Sequence, residues 1–251
     1  MDPERLKRIR NWQSTEFYSR LVMRPLSIAI ILVAGDWKIL TPNRVTTLAN
    51  ICKVIGAVLV AYDHRSYAIS AAVWLQVGTL FDHLDGQLAR YRGTGSTFGA
   101  FYDKASDAVT WGAICGALGW AAYNDSDPAN PWLLIAALGS AYALLVIGYM
   151  KWIIATAEAV KLKKAPKASH PPPTRTPAEW AKWIAGSCLR ALLFEEIDLF
   201  FWIGLGLILD ELPLLIWVLA ITQAIQLAVM IVKRGLDARS IDHAPDSRAA
   251  A

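Results

Sequence analysis

Apolar residues fall along this chain in long unbroken runs, unlike the alternation of a half-buried strand or the narrow stripe of a surface helix. Six runs reach membrane-spanning length, near Asn43 to Tyr62, Ala68 to Leu88, Asp103 to Tyr123, Trp132 to Trp152, Leu189 to Leu209 and Leu214 to Lys233. An earlier stretch, Leu21 to Trp37, is apolar but shorter, and Arg24-Pro25 and Gly35-Asp36 interrupt it, so it predicts an interfacial helix. Ahead of it, Arg5, Lys7, Arg8 and Arg10 interleave with Leu6, Ile9 and Trp12, the pattern of an amphipathic helix lying on an anionic leaflet. The predicted fold is all-α: an integral membrane bundle of six transmembrane helices preceded by an N-terminal interfacial amphipathic helix. Residues 1–41 form the interfacial segment of this prediction, 42–235 the membrane domain and 236–251 a disordered tail.

Composition agrees with the pattern. The 251 residues are 55% hydrophobic and only 18% charged, too apolar for a soluble domain of this size and incompatible with disorder. Cys52, Cys115 and Cys188 all lie in apolar stretches without paired spacing, which predicts core packing rather than disulfides or zinc. No nucleic-acid partner is expected.

Lys and Arg set the orientation. The N-terminus, the turn around Arg90 and Arg92, the loop Lys161 to Pro177 and the tail with Lys233, Arg234 and Arg239 are basic, and all fall on one side of a six-span arrangement. The other side carries Asp63-His64-Arg65, Asn124 to Asn130 and Asp210-Glu211. Both termini are therefore expected in the cytoplasm. The Lys161 to Pro177 loop, with four Lys and five Pro, is expected to be flexible and exposed.

Four carboxylates on the second and third spans break the apolar pattern: Asp82 and Asp85, then Asp103 and Asp107. Each Asp costs roughly 2.5 to 3.5 kcal/mol at mid-bilayer, so something must offset them. Spacings of three and four put each pair on one helix face, and the intervening turn brings the pairs level at the cytoplasmic end. Divalent cations are the simplest remedy, and an all-oxygen donor set favours Mg²⁺ or Mn²⁺ over zinc. Gly86 and Ala89 share the face of Asp82 and Asp85, Gly99 shares that of Asp103 and Asp107, and Arg90 suits phosphate. Metal, Arg and small residues together describe a diphosphate site. A membrane cation transporter would explain the carboxylates but not Arg90 beside them. A membrane prenyltransferase would share the Asp pairs and Mg²⁺ but not this arrangement.

The motif Asp82-x-x-Asp85-Gly86-x-x-Ala89-Arg90, eight residues, then Gly99-x-x-x-Asp103-x-x-x-Asp107 resembles the complete signature of the CDP-alcohol phosphotransferase family of integral membrane enzymes. The resemblance extends upstream to Pro42-Asn43-x-x-Thr46, and beyond about Ala122 no diagnostic motif follows. It implies a two-metal centre on Asp82, Asp85 and Asp103 with help from Asp107, and Asp107 as general base. It further implies a CDP pocket lined by Asn43, Thr46, Asp82, Gly86, Ala89, Arg90 and Gly99, and a homodimer in the bilayer. An acceptor hydroxyl then attacks the β-phosphate of a CDP-alcohol and CMP leaves. CDP-diacylglycerol is the default donor, and a CDP-inositol donor is the alternative.

For the acceptor, inositol phosphate, glycerol phosphate, inositol and serine all remain open, and Tyr18 to Ser27 with Leu40 to Asn43 faintly resembles members that make inositol phosphodiesters. Charged residues elsewhere in the spans mark candidate acceptor contacts: Lys53, Lys151, Arg190, Glu195 and Asp198, with Glu196 alongside. Lys53 sits about ten residues into the first span, too deep to reach headgroups, and should meet an anion. That anion is an acceptor phosphate or a carboxylate such as Asp198.

Overall fold

The computed structural model describes residues 3–10, 16–126, 128–161 and 176–243. Among these the chain is helical throughout, without strands. After α1 (Pro3–Arg10), a π-helical turn (Ser19–Met23) leads into α2 (Arg24–Ala34). The long helices follow: α3 (Pro42–Asp63), α4 (Ala68–Arg92), α5 (Thr97–Asp125) and α6 (Pro131–Lys161). Then come α7 (Pro177–Arg190), a 3₁₀ turn (Ala191–Leu193), α8 (Asp198–Ile208) and α9 (Leu212–Asp242).

Three helices are long and apolar enough to cross a membrane by length and composition: α3, α6 and α9. α4 and α5 are as long, but carry the motif's charges. α3 packs against α4 and α5, α6 against α5 and α9, and α8 against α4. The main core lies between these helices, built on Leu75, Ile114, Leu118, Ile203 and Ile216. A second cluster, with Ile9, Ile31, Leu84, Leu88 and Tyr91, seats α1 and α2 on the C-terminal half of α4.

The structure corrects four expectations. The run Leu189 to Leu209 is not one helix. Phe194 takes a left-handed conformation (φ 49°) after the 3₁₀ turn, and its carbonyl accepts from Gln223 Nε2 (3.0 Å) and Gln226 Nε2 (2.9 Å) of α9. Hydropathy could not show a break that glutamines from another helix stabilise. The remaining α8 has 11 residues, about 16 Å of rise. Second, α9 continues to Asp242, seven residues into the segment read as tail, where Arg234 and Asp237 pair one helical turn apart (2.9 Å). Third, Cys52 and Cys115 are buried but Cys188 is exposed on α7. Fourth, Asp198 does not meet Lys53: its Oδ1 accepts from the Tyr18 backbone N–H (2.7 Å). The loop at 162–175, Trp12 and the tail beyond 243 lie outside the described residues.

Candidate metal and diphosphate site

The α4–α5 turn places the motif's two halves side by side, and each of its ends has a local cause. α4 stops at Gly93, whose left-handed conformation (φ 68°) lets the Thr94 N–H reach back to the Ala89 carbonyl (3.0 Å). α5 starts at Ser96, whose hydroxyl accepts from the Gly99 N–H (3.0 Å). Arg92 ties the turn down, donating to the carbonyls of Gly35 (2.8 Å) and Trp37 (2.7 Å).

α3 comes close on the other side because Gly78 of α4 has no side chain. A Cβ there would stand 2.8 Å from Lys53 Cγ and 3.0 Å from the Ala49 carbonyl. Lys53, 1% exposed, therefore enters from α3 beneath the aspartates. Its Nζ lies 3.1 Å from Asp82 Oδ1 and 3.5 Å from Asp107 Oδ1. These partners stand where the sequence left a choice between an acceptor phosphate and a carboxylate such as Asp198. Thr46 donates to Asp85 Oδ2, fixing that carboxylate's orientation. Lys104, which the sequence reading passed over, lies 2.8 Å from Asp107 Oδ2 and 3.3 Å from Asp103 Oδ2. Its position next to Asp103 and three residues before Asp107 was a usable signal.

One carboxylate oxygen each of Asp82, Asp85 and Asp103 lie within 4.8 Å of one another. Three hard oxygen donors so placed fit Mg²⁺ or Mn²⁺. Asp107 is held back from this trio between the two lysines. All four aspartates open on a cavity of about 220 Å³ together with Lys53, Gly86 and Arg90. The Arg90 guanidinium lies over Gly86, 3.5 Å from where a Cβ would stand, an ordinary van der Waals distance.

Other predicted residues stand off the cavity wall. Asn43 and Gly99 face each other nearby, Asn43 Oδ1 lying 3.4 Å from where a Gly99 Cβ would be. Thr46 acts through Asp85, and Ala89 offers its carbonyl to the α4 terminus. Of the candidate acceptor residues, Lys53 lines the cavity; Glu195, Asp198 and the exposed Lys151 stand behind its wall, close enough to act electrostatically on Glu16, and Arg190 is exposed and not among the lining residues. Glu196 lines it, as do Ile197 and Phe200 of the α8 approach. Trp111 packs on Phe200 (ring centroids 4.7 Å) to close the floor. Glu16 completes the wall, and no sequence signal could find it, since the folding of the N-terminal segment brings it from far along the chain. Burial pushes its carboxyl up to about 7, with Glu196, Glu195 and Asp198 adding to the rise and Lys151 opposing it.

Residues 39–181 match the family model described as CDP-alcohol phosphatidyltransferase. Among curated proteins, the phosphatidylinositol phosphate synthase of Mycobacterium tuberculosis is 41% identical over 125 residues, 49% of this chain and 54% of that protein. The protein of that name from Mycobacterium marinum is 35% identical over 143 residues, 57% and 56% of the two chains. The chain thus spans just over half the length of the curated relatives it matches. A crystal structure of the M. tuberculosis phosphatidylinositol phosphate synthase with CDP-DAG bound superimposes with a TM-score of 0.50 at 25% identity, covering 85% of this chain and 93% of that one. A second, in complex with manganese and citrate, shares the fold at TM-score 0.52 and 24% identity, covering 85% and 88%.

Proposed function

Because the chain belongs to the CDP-alcohol phosphatidyltransferase family by its match over residues 39–181, we propose that it is a metal-dependent CDP-alcohol phosphotransferase acting on CDP-diacylglycerol. The observation that carries this reading is the convergence of Asp82, Asp85 and Asp103 to within 4.8 Å beside Gly86 and Arg90. The CDP-DAG-bound relative supports the donor, and the relatives' names support an acceptor of the inositol class.

Asp82, Asp85 and Asp103 would hold Mg²⁺ or Mn²⁺ as a two-metal centre with help from Asp107. The metal supplies charge neutralisation for the diphosphate and for the departing phosphate. Arg90 holds the diphosphate at the cavity mouth, with Asn43, Thr46, Ala89 and Gly99 shaping the nucleotide's side. Asp107 takes the proton of the acceptor hydroxyl at a carboxylate oxygen. The acceptor oxygen bonds to the β-phosphorus, the bond from that phosphorus to the bridging oxygen breaks, and CMP leaves with the bond's electrons. The other product is a phosphodiester. Lys53 and Lys104 hold the Asp107 carboxylate in place until the acceptor arrives.

The protein is an integral membrane protein, and within that frame we infer six crossings: α3, α4, α5, α6, the short α8 and α9. In this reading α1 and α2 lie on the cytoplasmic surface, both termini and the active site face the cytoplasm, and the assembly is a homodimer. The asymmetry of Lys and Arg supports the orientation. A Cys placed at Ser126 should label from outside intact cells and one at Ser169 should not. The reverse pattern overturns the orientation.

The activity test supplies the purified full chain with Mn²⁺, CDP-diacylglycerol and a panel of hydroxyl acceptors. Release of CMP with a phosphodiester of matching mass is expected. No CMP with any acceptor, from protein that binds Mn²⁺, would sink the assignment.

A further inference from the structure

The four motif aspartates are not equivalent. One oxygen each of Asp82, Asp85 and Asp103 lie within 4.8 Å of one another, and among the described residues Asp107 stands outside that group. Both Asp107 oxygens face ammonium groups instead: Oδ1 lies 3.5 Å from Lys53 Nζ, and Oδ2 lies 2.8 Å from Lys104 Nζ. A divalent ion held by Asp107 would have to share one of those oxygens with a lysine or displace it.

The two lysines differ in how readily they leave. The Lys104 side chain is 62% exposed and can swing into water with its charge solvated. Lys53 is fully buried and has no such exit. Its stem passes Gly78, where a Cβ would stand 2.8 Å from Lys53 Cγ, and its Nζ lies 5.5 Å from the centroid of the Phe200 ring. Drawing the ammonium away from Asp82 (3.1 Å) and Asp107 would leave buried charges without partners. Lys53 therefore ties α4 to α5 across their aspartates as a bridging metal ion does, with one charge in place of two. A divalent ion on the same oxygens would sit beside a fixed like charge in a setting that water screens poorly.

Resting on the metal centre proposed above, we infer that Lys53 is the resident cation at the second ion's position. Without donor the chain binds one divalent ion, in the group Asp82, Asp85 and Asp103. The second ion joins only with the donor's diphosphate, whose oxygens replace those that Lys53 holds and whose negative charge offsets the ammonium. Lys53 is thus a positioning residue that makes completion of the centre depend on the donor.

The test counts Mn²⁺ on the purified full chain in detergent micelles by equilibrium dialysis and reads Mn–Mn spin coupling by electron paramagnetic resonance. Wild type without donor should bind one Mn²⁺, with any second at least about tenfold weaker, and should show no coupled pair. Saturating CDP-diacylglycerol should bring the pair out. Lys53→Met, which keeps an unbranched apolar stem beside Gly78 and removes the charge, should bind the second Mn²⁺ at least about tenfold more tightly than wild type and show the pair without donor. Lys53→Gln takes its place if Lys53→Met does not fold, and Lys104→Met should keep the wild-type count. Two Mn²⁺ of similar affinity on wild type without donor, an unchanged count in the Lys53 variant, a second ion in Lys104→Met, or no pair with donor each overturn the inference. In those cases the proposed function stands, since CMP is still released. A wild-type chain that binds no Mn²⁺ with or without donor overturns the metal centre and the function with it.

Discussion

The bundle has a polar cluster at each end, and the two are built from the same materials with opposite results. At the far end, some 27 Å from Thr46 along α3 at about 1.5 Å per residue, His64 and Arg65 meet Asp125 and Asp210. His64 Nε2 lies 3.1 Å from each carboxylate, and Arg65 lies 3.2 Å from Asp125 and 3.0 Å from Asp210. Bases and acids are matched in number, and each acid touches both bases. This cluster joins the α3–α4 turn, the end of α5 and the α8–α9 turn, as a clamp does. A cavity of about 500 Å³ opens beside it, more than twice the volume of the one at the motif. Volume is therefore a poor guide to the chemistry here. What separates the ends is balance: the motif end gathers six carboxylates against three permanent cations, and that surplus is what a divalent cation can satisfy.

Breaking the surplus should have the largest effect. Asp82→Asn or Asp85→Asn should reduce turnover by more than about a hundredfold, beyond the usual loss from outer-shell metal partners, and should abolish thermal stabilisation by Mn²⁺. Melting curves with and without Mn²⁺ beside a CMP-release assay check both. Retained Mn²⁺ stabilisation in either variant removes that residue from the metal centre. Asp107→Asn should cost about 10² to 10⁴ in turnover while leaving CDP-diacylglycerol binding within about tenfold, because a base is needed only when the acceptor loses its proton. Normal turnover in this variant assigns the proton to another group.

Lys53 offers a sharper comparison, since it is a buried cation inside the acidic surplus. Lys53→Gln leaves Asp82 and Asp107 without that counter-charge and should destabilise the protein by about 3–5 kcal/mol in metal-free buffer. Mn²⁺ should raise the melting temperature of this variant more than that of the wild type. An equal rise in both would show that metal and Lys53 neutralise different charges. The smallest effect belongs to the matched end. Asp210, with a half-exposed side chain, pairs with exposed Arg65 and with buried His64, and Asp210→Asn keeps an oxygen acceptor for both, so it should cost about 1 kcal/mol and leave turnover unchanged. A large activity loss there would mean that the two ends are coupled through α3 and α4.

Much of the motif end was legible because its information is local. Spacings of three and four along a helix put Asp82 with Asp85 and Asp103 with Asp107, whatever the rest of the chain does. A short turn closed by Gly93 and Ser96 leaves the two helices little choice but to lie side by side. Lys53 was readable as a buried cation seeking an anion, because depth along a helix follows from residue count. Its partners were not readable: the choice between Asp198 and the motif aspartates depends on how α3 rotates against α4, which the close approach at Gly78 sets.

By itself, then, the order of residues determined the helical class, the pairing of the aspartates and the chemistry of their donors, since each depends on near neighbours and helical periodicity. The tertiary structure decided the rest. It broke the fifth apolar run at Phe194, where glutamines of α9 hold the exposed carbonyl. It gave Asp198 to the Tyr18 backbone, drew Glu16 from the N-terminal segment to the cavity wall, and left Lys151 and Arg190 outside it. Hydropathy and spacing describe one helix at a time, whereas the charge balance of a cavity is a property of all the helices that enclose it.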